Sequence, residues 1–591
     1  LSLKIKIKTM SFFKSYLATL LAIFTSFLIG IFMLVALVGI SASSEGGVPT
    51  IEDGSVLSLD LGLPISDYAP IGEDDPLADL LGNPQLSLES ILMAIDQAAE
   101  DDRIQGISIK DPFALGGWSQ VRDIRLALER FRLSGKPVWA YADMYTQKDY
   151  YLSSVADSLY LSPVGVLDVK GLSAEVLYYK GFQQKTGLKM EVIRHGKYKS
   201  AVEPYLEDQM SEANRSQLST LLHQLWRTIS QEIAQGRGVA LEKVNDWATN
   251  VSGKTPEKAL DAGMIDGLLY ADQYDQKWAE LTGEDEVEYT SLSRYIRYAQ
   301  SQRNLKSKDQ IAVVYAQGEI LPGPGNQQYI GTKLMEEALE KAADNESVKA
   351  IVLRVNSPGG SAMVSEHIWR ALKRAQEKKP LVVSMGSVAA SGGYYLATAA
   401  DKVWATPMTI TGSIGVFGTI PNWSELSESW GIHAEQVTTH PQAAQYSPFA
   451  PMSDGFRSQV QEGIEHTYQT FLTRVSEGRK MTTAQVDSVA QGRVWSAQDA
   501  LSVGLIDEIG SLDEAVVGAA KLAGVSDYRV RNYPNYPSFW EEFFSSMEGF
   551  QSLVTQVKTV FSGPDQAVAQ LQQLPIRAEV YVRLPFGLEV R

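Results

Sequence analysis

The chain has 591 residues, 44% of them hydrophobic and 21% charged, with a formal net charge of −17. That length exceeds one ordinary core, so two or more domains are expected, and so acidic a chain repels phosphate backbones, which argues against nucleic acid as a partner. There is no cysteine, which excludes disulfides, thiolate metal sites and a cysteine nucleophile together.

The first element is an uncharged apolar run, Tyr16 to Ile40. It is long enough to cross a hydrocarbon core of about 30 Å as a helix. Lys4, Lys6, Lys8 and Lys14 precede it, and the next basic residue is Arg103. The positive-inside rule then predicts a cytoplasmic tail over 1–15, an anchor over 16–40 and the bulk of the chain on the other side of the membrane. The alternative is a cleaved signal peptide leaving at Ser41-Ala42-Ser43, but the apolar run is longer than a usual signal core. Residues 41–100 are acidic and rich in Gly, Pro and Ser, and lead into the first domain.

From there the chain repeats itself. IQGISIKDPFALGGWSQVRDIRLALERFRLSGKPVWAYA (104–142) parallels VKAIVLRVNSPGGSAMVSEHIWRALKRAQEKKPLVVSMG (348–386). Each reads as an apolar strand, a Gly-Gly turn, an amphipathic helix, Lys-Pro and a second apolar strand, which is a βαβ unit. YYLSSVADSLYLSP (150–163) matches YYLATAADKVWATP (394–407), MSEANRSQL (210–218) matches MSDGFRSQV (452–460), and ALDAGMIDGL (259–268) matches ALSVGLIDEI (500–509). Four landmarks in one order, roughly 240 residues apart, predict a tandem duplication of one α/β domain, over 41–300 and 305–530. The extension 531–591 is different, with the aromatic segment FWEEFF (539–544) and an amphipathic pattern reaching Val560 that suits packing on its own domain or contact with a membrane surface.

Ser391 lies in GSVAASGGYYLATAA (386–400), between small residues and a Gly pair, at the start of a helical pattern. A serine there is either a nucleophile, with the Gly392 N–H as an oxyanion donor, or an N-cap. The amino copy has Gln147 at or next to this place and Lys148-Asp149 for the glycines. Losing all three together favours one chemically competent copy and one silent copy. Gly359, in NSPGGSA (356–362), is the candidate second oxyanion donor, a role compatible with a Pro-Gly-Gly turn.

A serine nucleophile needs a base. None of the six histidines, at 195, 223, 367, 433, 440 and 466, sits in a triad signature, although triads are spatial and a Ser–His–Asp arrangement stays open. RHGKYKSAVEPYLEDQM (194–210) supplies Lys197 and Lys199, and the parallel stretch 436–452 has no lysine. The segment reads either as a basic surface loop or as the source of a base whose partner serine lies in the other copy. For a lysine to act so, burial must hold it neutral.

YKSAVEP (198–204), NSPGGS (356–361), AASGGYY (389–395) and TGSIGVFG (411–418) together resemble the motifs of the signal peptide peptidase A family, in its long bacterial form also called protease IV. The resemblance covers nearly the whole chain. It implies a tandem ClpP/crotonase-like α/β fold, and a homotetramer projecting from the inner membrane into the periplasm. It implies Ser391 as nucleophile, Lys199 as general base, Ser413 as the hydroxyl orienting the lysine amine, and Gly359 and Gly392 as oxyanion donors. Ser413 beside Gly412 also reads as a turn residue. The implied reaction is hydrolysis of extended apolar peptides such as cleaved signal peptides, with no cofactor and no metal. Two rivals are a crotonase-like enzyme acting on acyl-CoA and a non-catalytic membrane scaffold.

Overall fold

The computed structural model describes residues 48–69, 85–302, 307–440, 443, 446–536 and 580–583, together with 19, 22, 23, 25 and 26. The expected anchor over 16–40, FWEEFF and the pattern through Val560 therefore fall outside the described residues, apart from those five. Among the described residues, no helix is long and apolar enough to cross a membrane. Both copies of the repeat lie in one compact unit.

In chain order the amino copy contains β1 (Ser55–Ser58), β2 (Ile104–Lys110), α1 (Trp118–Arg132), β3 (Val138–Tyr145), α2 (Gln147–Ser153), β4 (Ser158–Leu167), β5 (Lys189–His195), α3 (Glu212–Arg237), β6 (Gly267–Leu268) and β7 (Tyr289–Ser291). The carboxyl copy contains β8 (Gln310–Gln317), β9 (Val348–Ser357), β10 (Gly359–Ser361), α4 (Ala362–Gln376), β11 (Leu381–Ala390), α5 (Gly392–Ala397), β12 (Lys402–Ala405), β13 (Ile410–Gly412), β14 (Val416–Asn422), α6 (Asp454–Arg479), α7 (Thr483–Val489), β15 (Val494–Ser496), β16 (Glu508–Ile509) and β17 (Arg529–Tyr533), followed by β18 (Val580–Arg583).

The two main sheets share one topology. The first runs β6-β4-β3-β2-β1-β7 and the second runs β16-β12-β11-β9-β8-β17, with every pair along both paths parallel. β13 extends the second sheet from the end of β11, and β15 pairs antiparallel with β13. Parallel sheets are covered on both faces, so their strands read as continuous apolar runs. β9, VKAIVLRVNS, is buried at eight of its ten residues.

The landmarks of the repeat have local physical causes. MSEANRSQL and MSDGFRSQV are the capped starts of α3 and α6, two 26-residue helices. Ser211 accepts from the Asn214 N–H and Ser453 from the Phe456 N–H, satisfying otherwise unpaired first-turn donors. The two Gly-containing landmarks near 263 and 504 are helix ends, with φ of 73° and 79°, just ahead of β6 and β16.

A third sheet joins the copies. Its order is 329–330, 319–320, β10, β18, β14, β5, so a strand of the amino copy pairs antiparallel with β14 from Lys189↔Asn422 to His195↔Val416. The apolar core of the amino copy also takes in Ala390, Met408, Ile410 and Val494 from the carboxyl copy. Beside it, the fully buried Arg354 of β9 donates from Nε to Asp67 Oδ2 at 2.8 Å and faces Asp123 of α1 at 3.5 Å. Burial pushes the Asp123 carboxyl up to about 7, against the pull of Arg354.

Candidate active site

β11 ends at Ala390, and α5 begins at Gly392, so Ser391 is the junction. Its backbone is held at φ 57° and ψ −115°, a conformation that costs a non-glycine residue about 1–3 kcal/mol. The surrounding backbone enforces it. Ser391 N–H donates to Gly412 O at 2.8 Å and Tyr395 N–H donates to Ser391 O at 2.8 Å. Ser391 stands at the N-cap position, yet its side chain makes no capping bond. Its oxygen instead lies 2.7 Å from Lys199 Nζ, within hydrogen-bond reach.

A capping residue does persist in the amino copy, at Thr146. Its hydroxyl accepts from the Asp149 N–H, and the Asp149 carboxylate accepts from the Thr146 N–H and hydroxyl. Gln147 is the first residue of α2, and its Oε1 accepts from the Lys170 and Gly171 N–H groups. Lys148 reaches Gly116 O at 2.8 Å. Every side chain of this turn is thus engaged with its own copy.

Lys199 follows β5 through a short turn, so the pairing of β5 with β14 delivers it to the carboxyl copy. Its residue exposure is 0%. The amine touches three oxygens: Ser391 Oγ at 2.7 Å, Ser413 Oγ at 3.0 Å and Ser413 O at 3.0 Å. Burial holds its pKa well below the ordinary lysine value. The Phe417 ring lies 5.9 Å from Nζ and adds to the apolar surroundings. Ser413 itself has a φ of 53°, and its N–H donates to Arg493 O at 2.6 Å.

Gly359 and Gly392 lie side by side. A Cβ on Gly392 would come within 3.2 Å of Gly359 Cα and 2.7 Å of Ser365 Oγ. Gly392 is the first residue of α5, where helix geometry supplies no acceptor for its N–H. The Gly359 N–H donates to Ser357 Oγ at 3.2 Å. Gly360 has a φ of 156°, and a Cβ there would stand 1.9 Å from Ile320 O, so only glycine fits. Beside these glycines, β18 lies antiparallel to β10, with Gly359↔Arg583, Gly360↔Val582 and Ser361↔Tyr581. Its other edge pairs with β14 at Phe417↔Tyr581 and Gly418↔Val580.

All five residues singled out in the sequence are thereby brought to one place, with Ser391 and Ser413 around the Lys199 amine. The sequence reading missed the turn Gln491-Gly492-Arg493 and Gln217, which contact the backbone around Lys199 and Ser413. The one signal available was the glycine in QGRVWSA (491–497), ahead of β15.

A serine whose oxygen is turned onto a buried amine, on a duplicated α/β scaffold, defines a class of hydrolase, and comparison with known proteins places it. Residues 130–284 and 373–526 each match peptidase family S49, and residues 301–411 match the Clp protease family. The chain belongs to peptidase family S49, present in two copies on a ClpP-like fold, and is a serine protease. Among its relatives are two proteins named Protease 4. That of Haemophilus influenzae is 34% identical over 509 residues, covering 83% of this chain and 83% of the relative. That of Salmonella typhi is 37% identical over 477 residues, covering 78% and 76%. A chloroplastic serine protease SPPA of Arabidopsis thaliana is 31% identical over 488 residues, covering 80% and 70%.

Proposed function

We propose that the protein is a membrane-anchored endopeptidase that cleaves extended, apolar peptides, including cleaved signal peptides, with a Ser391–Lys199 dyad. The observation that carries this reading is the 2.7 Å contact between a fully buried lysine amine and the oxygen of a serine that does not cap its helix. A neutral amine has two N–H groups and one lone pair. Ser413 O and Ser413 Oγ accept the two N–H groups, which leaves the lone pair for the Ser391 hydroxyl. Lys199 takes that proton as Ser391 Oγ attacks the peptide carbonyl. The carbonyl oxygen, now negative, draws on the Gly392 N–H and on the Gly359 N–H released from Ser357 Oγ. The lysine ammonium then gives its proton to the leaving amine, and water resolves the acyl-enzyme by the same route in reverse.

The lie of β18 supports an extended substrate. A stretch of polypeptide fits antiparallel between β10 and β14, beside the two glycines, so backbone pairing supplies affinity without demanding a sequence. The apolar run 16–40, with lysines before it and no Lys or Arg from 41 to 102, supports a single-pass anchor in a bacterial inner membrane with the protease on the periplasmic side. We include in the proposal a homotetramer as the working assembly. Hydrolysis of a casein-like substrate by purified protein tests the dyad. Ser391→Ala and Lys199→Ala each lower turnover by at least about 10³-fold with the fold retained. Near-normal turnover in Lys199→Ala sinks the dyad.

A further inference from the structure

Lys199 comes from one copy and Ser391 from the other, so something must fix the distance between them. Four backbone contacts converge on three consecutive residues. Tyr198 N–H donates to Gln491 O at 2.8 Å, Gly492 N–H donates to Ile414 O at 2.7 Å, and Ser413 N–H donates to Arg493 O at 2.6 Å. The fourth is steric. A Cβ on Gly492 would sit 2.6 Å from Lys199 N and 2.6 Å from Lys199 Cβ, so the lysine backbone lies directly on this glycine. The turn thus touches the residue before Lys199, Lys199 itself, Ser413 and the residue after Ser413.

The turn is held in an unfavourable shape. Gln491 has a φ of 53° and Gly492 a φ of 77°. Gln491 Nε2 donates to Asp487 Oδ1 at 2.6 Å, and the Gln491 N–H donates to Tyr468 Oη at 3.3 Å. Tyr468 of α6 donates to the same Asp487 oxygen at 2.6 Å, and its ring stacks on His195, the last residue of β5, with centroids 3.9 Å apart. From the opposite side the buried Gln217 of α3 spans both partners. Its Nε2 donates to Ser200 Oγ at 3.0 Å and to Tyr198 O at 3.3 Å, and its Oε1 accepts from the Val494 N–H at 3.4 Å. A side chain of the amino copy therefore ties the lysine segment to the end of the turn.

We propose that the Gln491-Gly492-Arg493 turn, braced by Tyr468 and Gln217, is a positioning device that sets the Lys199 amine against Ser391 and Ser413. The inference rests on Lys199 being the base. These residues act through the lysine. Loosening the brace moves the amine away from Ser391 and lets water reach it, which slows proton transfer and lets the lysine regain charge.

The test compares Gly492→Ala, Tyr468→Phe and Gln217→Leu with wild type and Lys199→Ala, in the full-length protein, for kcat, KM, pH profile and melting temperature. Displacing a base by about 1 Å costs on the order of 10²-fold. The expected result is a kcat fall approaching that size in Gly492→Ala and about tenfold in the other two. KM stays within about twofold of wild type, and the acid limb of the profile moves to higher pH. Wild-type kcat and pH profile in Tyr468→Phe and Gln217→Leu, with Lys199→Ala inactive, overturn the brace and leave the dyad standing. Losses that track a fall in melting temperature with an unmoved acid limb overturn it in favour of a merely structural role. An active Lys199→Ala overturns the dyad and the brace together.

Discussion

The two copies differ least in their sheets and most at a single turn. In both, the third main strand runs into a short helix against the same neighbours, β3 into α2 and β11 into α5. In the amino copy Thr146 closes the turn by capping, and Lys148, pushed to a lower pKa by burial, is spent on Gly116 O. In the carboxyl copy the equivalent serine has a strained backbone and no capping bond, and its oxygen meets an amine from across the molecule. One scaffold therefore supports either a satisfied turn or a functional group left unbonded to its own helix. The difference is whether the side chain's hydrogen bond goes to its own helix.

The largest effect that sharpens this contrast is in the pH dependence of kcat/KM. In the proposed dyad Lys199 acts as the neutral amine, and its folded pKa lies well below the ordinary lysine value. Activity is therefore retained above that folded pKa and falls by about tenfold per unit below it. The same titration of Lys148→Met is unchanged, because that lysine serves only its own turn. A profile that moves with Lys148 breaks the contrast.

Next comes the joint between the copies. Asp123 has a pKa of about 7 in the fold and about 3.9 when unfolded. A raised folded pKa gives stability that is full below the unfolded value and is lost as pH rises through the folded one. The loss amounts to at most about 1.4 kcal/mol per pH unit between those limits. Asp123→Asn accordingly raises the melting temperature at pH 8 and changes it little at pH 4, as thermal scans at both values will read. A stabilisation of equal size at both contradicts the burial argument.

The smallest effect is the cap. Thr146→Ala loses about 1 kcal/mol in denaturant unfolding and leaves kcat unchanged. Ser391→Ala loses no cap and shows no such penalty. Equal losses in the two variants mean that Ser391 caps after all.

Much of the scaffold was legible because buried parallel strands and capped helices leave marks in order along the chain. IVLRV, LVVSM and the serines ahead of α3 and α6 are such marks. Ser391 and Lys199 were legible through the duplication, which showed what each copy lacked, and through motifs such as YKSAVEP and AASGGYY that carry the family resemblance. The capping Thr146 was passed over because it stands one residue from the place of Ser391 in the aligned repeat. β5 was not foreseen as a partner of β14, since most of its residues are half-buried and show no clean alternation. The brace left almost no trace. Three of its contacts are backbone to backbone, and Gln217 meets Val494 across 277 residues of sequence.

The pairing of β5 with β14 also sets a schedule. During synthesis Lys199 leaves the ribosome 192 residues ahead of Ser391, and β14 follows later still. Until that strand arrives the lysine has no apolar surroundings to keep it neutral, and the early part of the chain holds a protonated amine with nothing to activate. A nascent or truncated polypeptide that lacks Ser391 and β14 cannot assemble the proposed dyad. The proposed dyad is complete only once β14 of the carboxyl copy has paired with β5 of the amino copy.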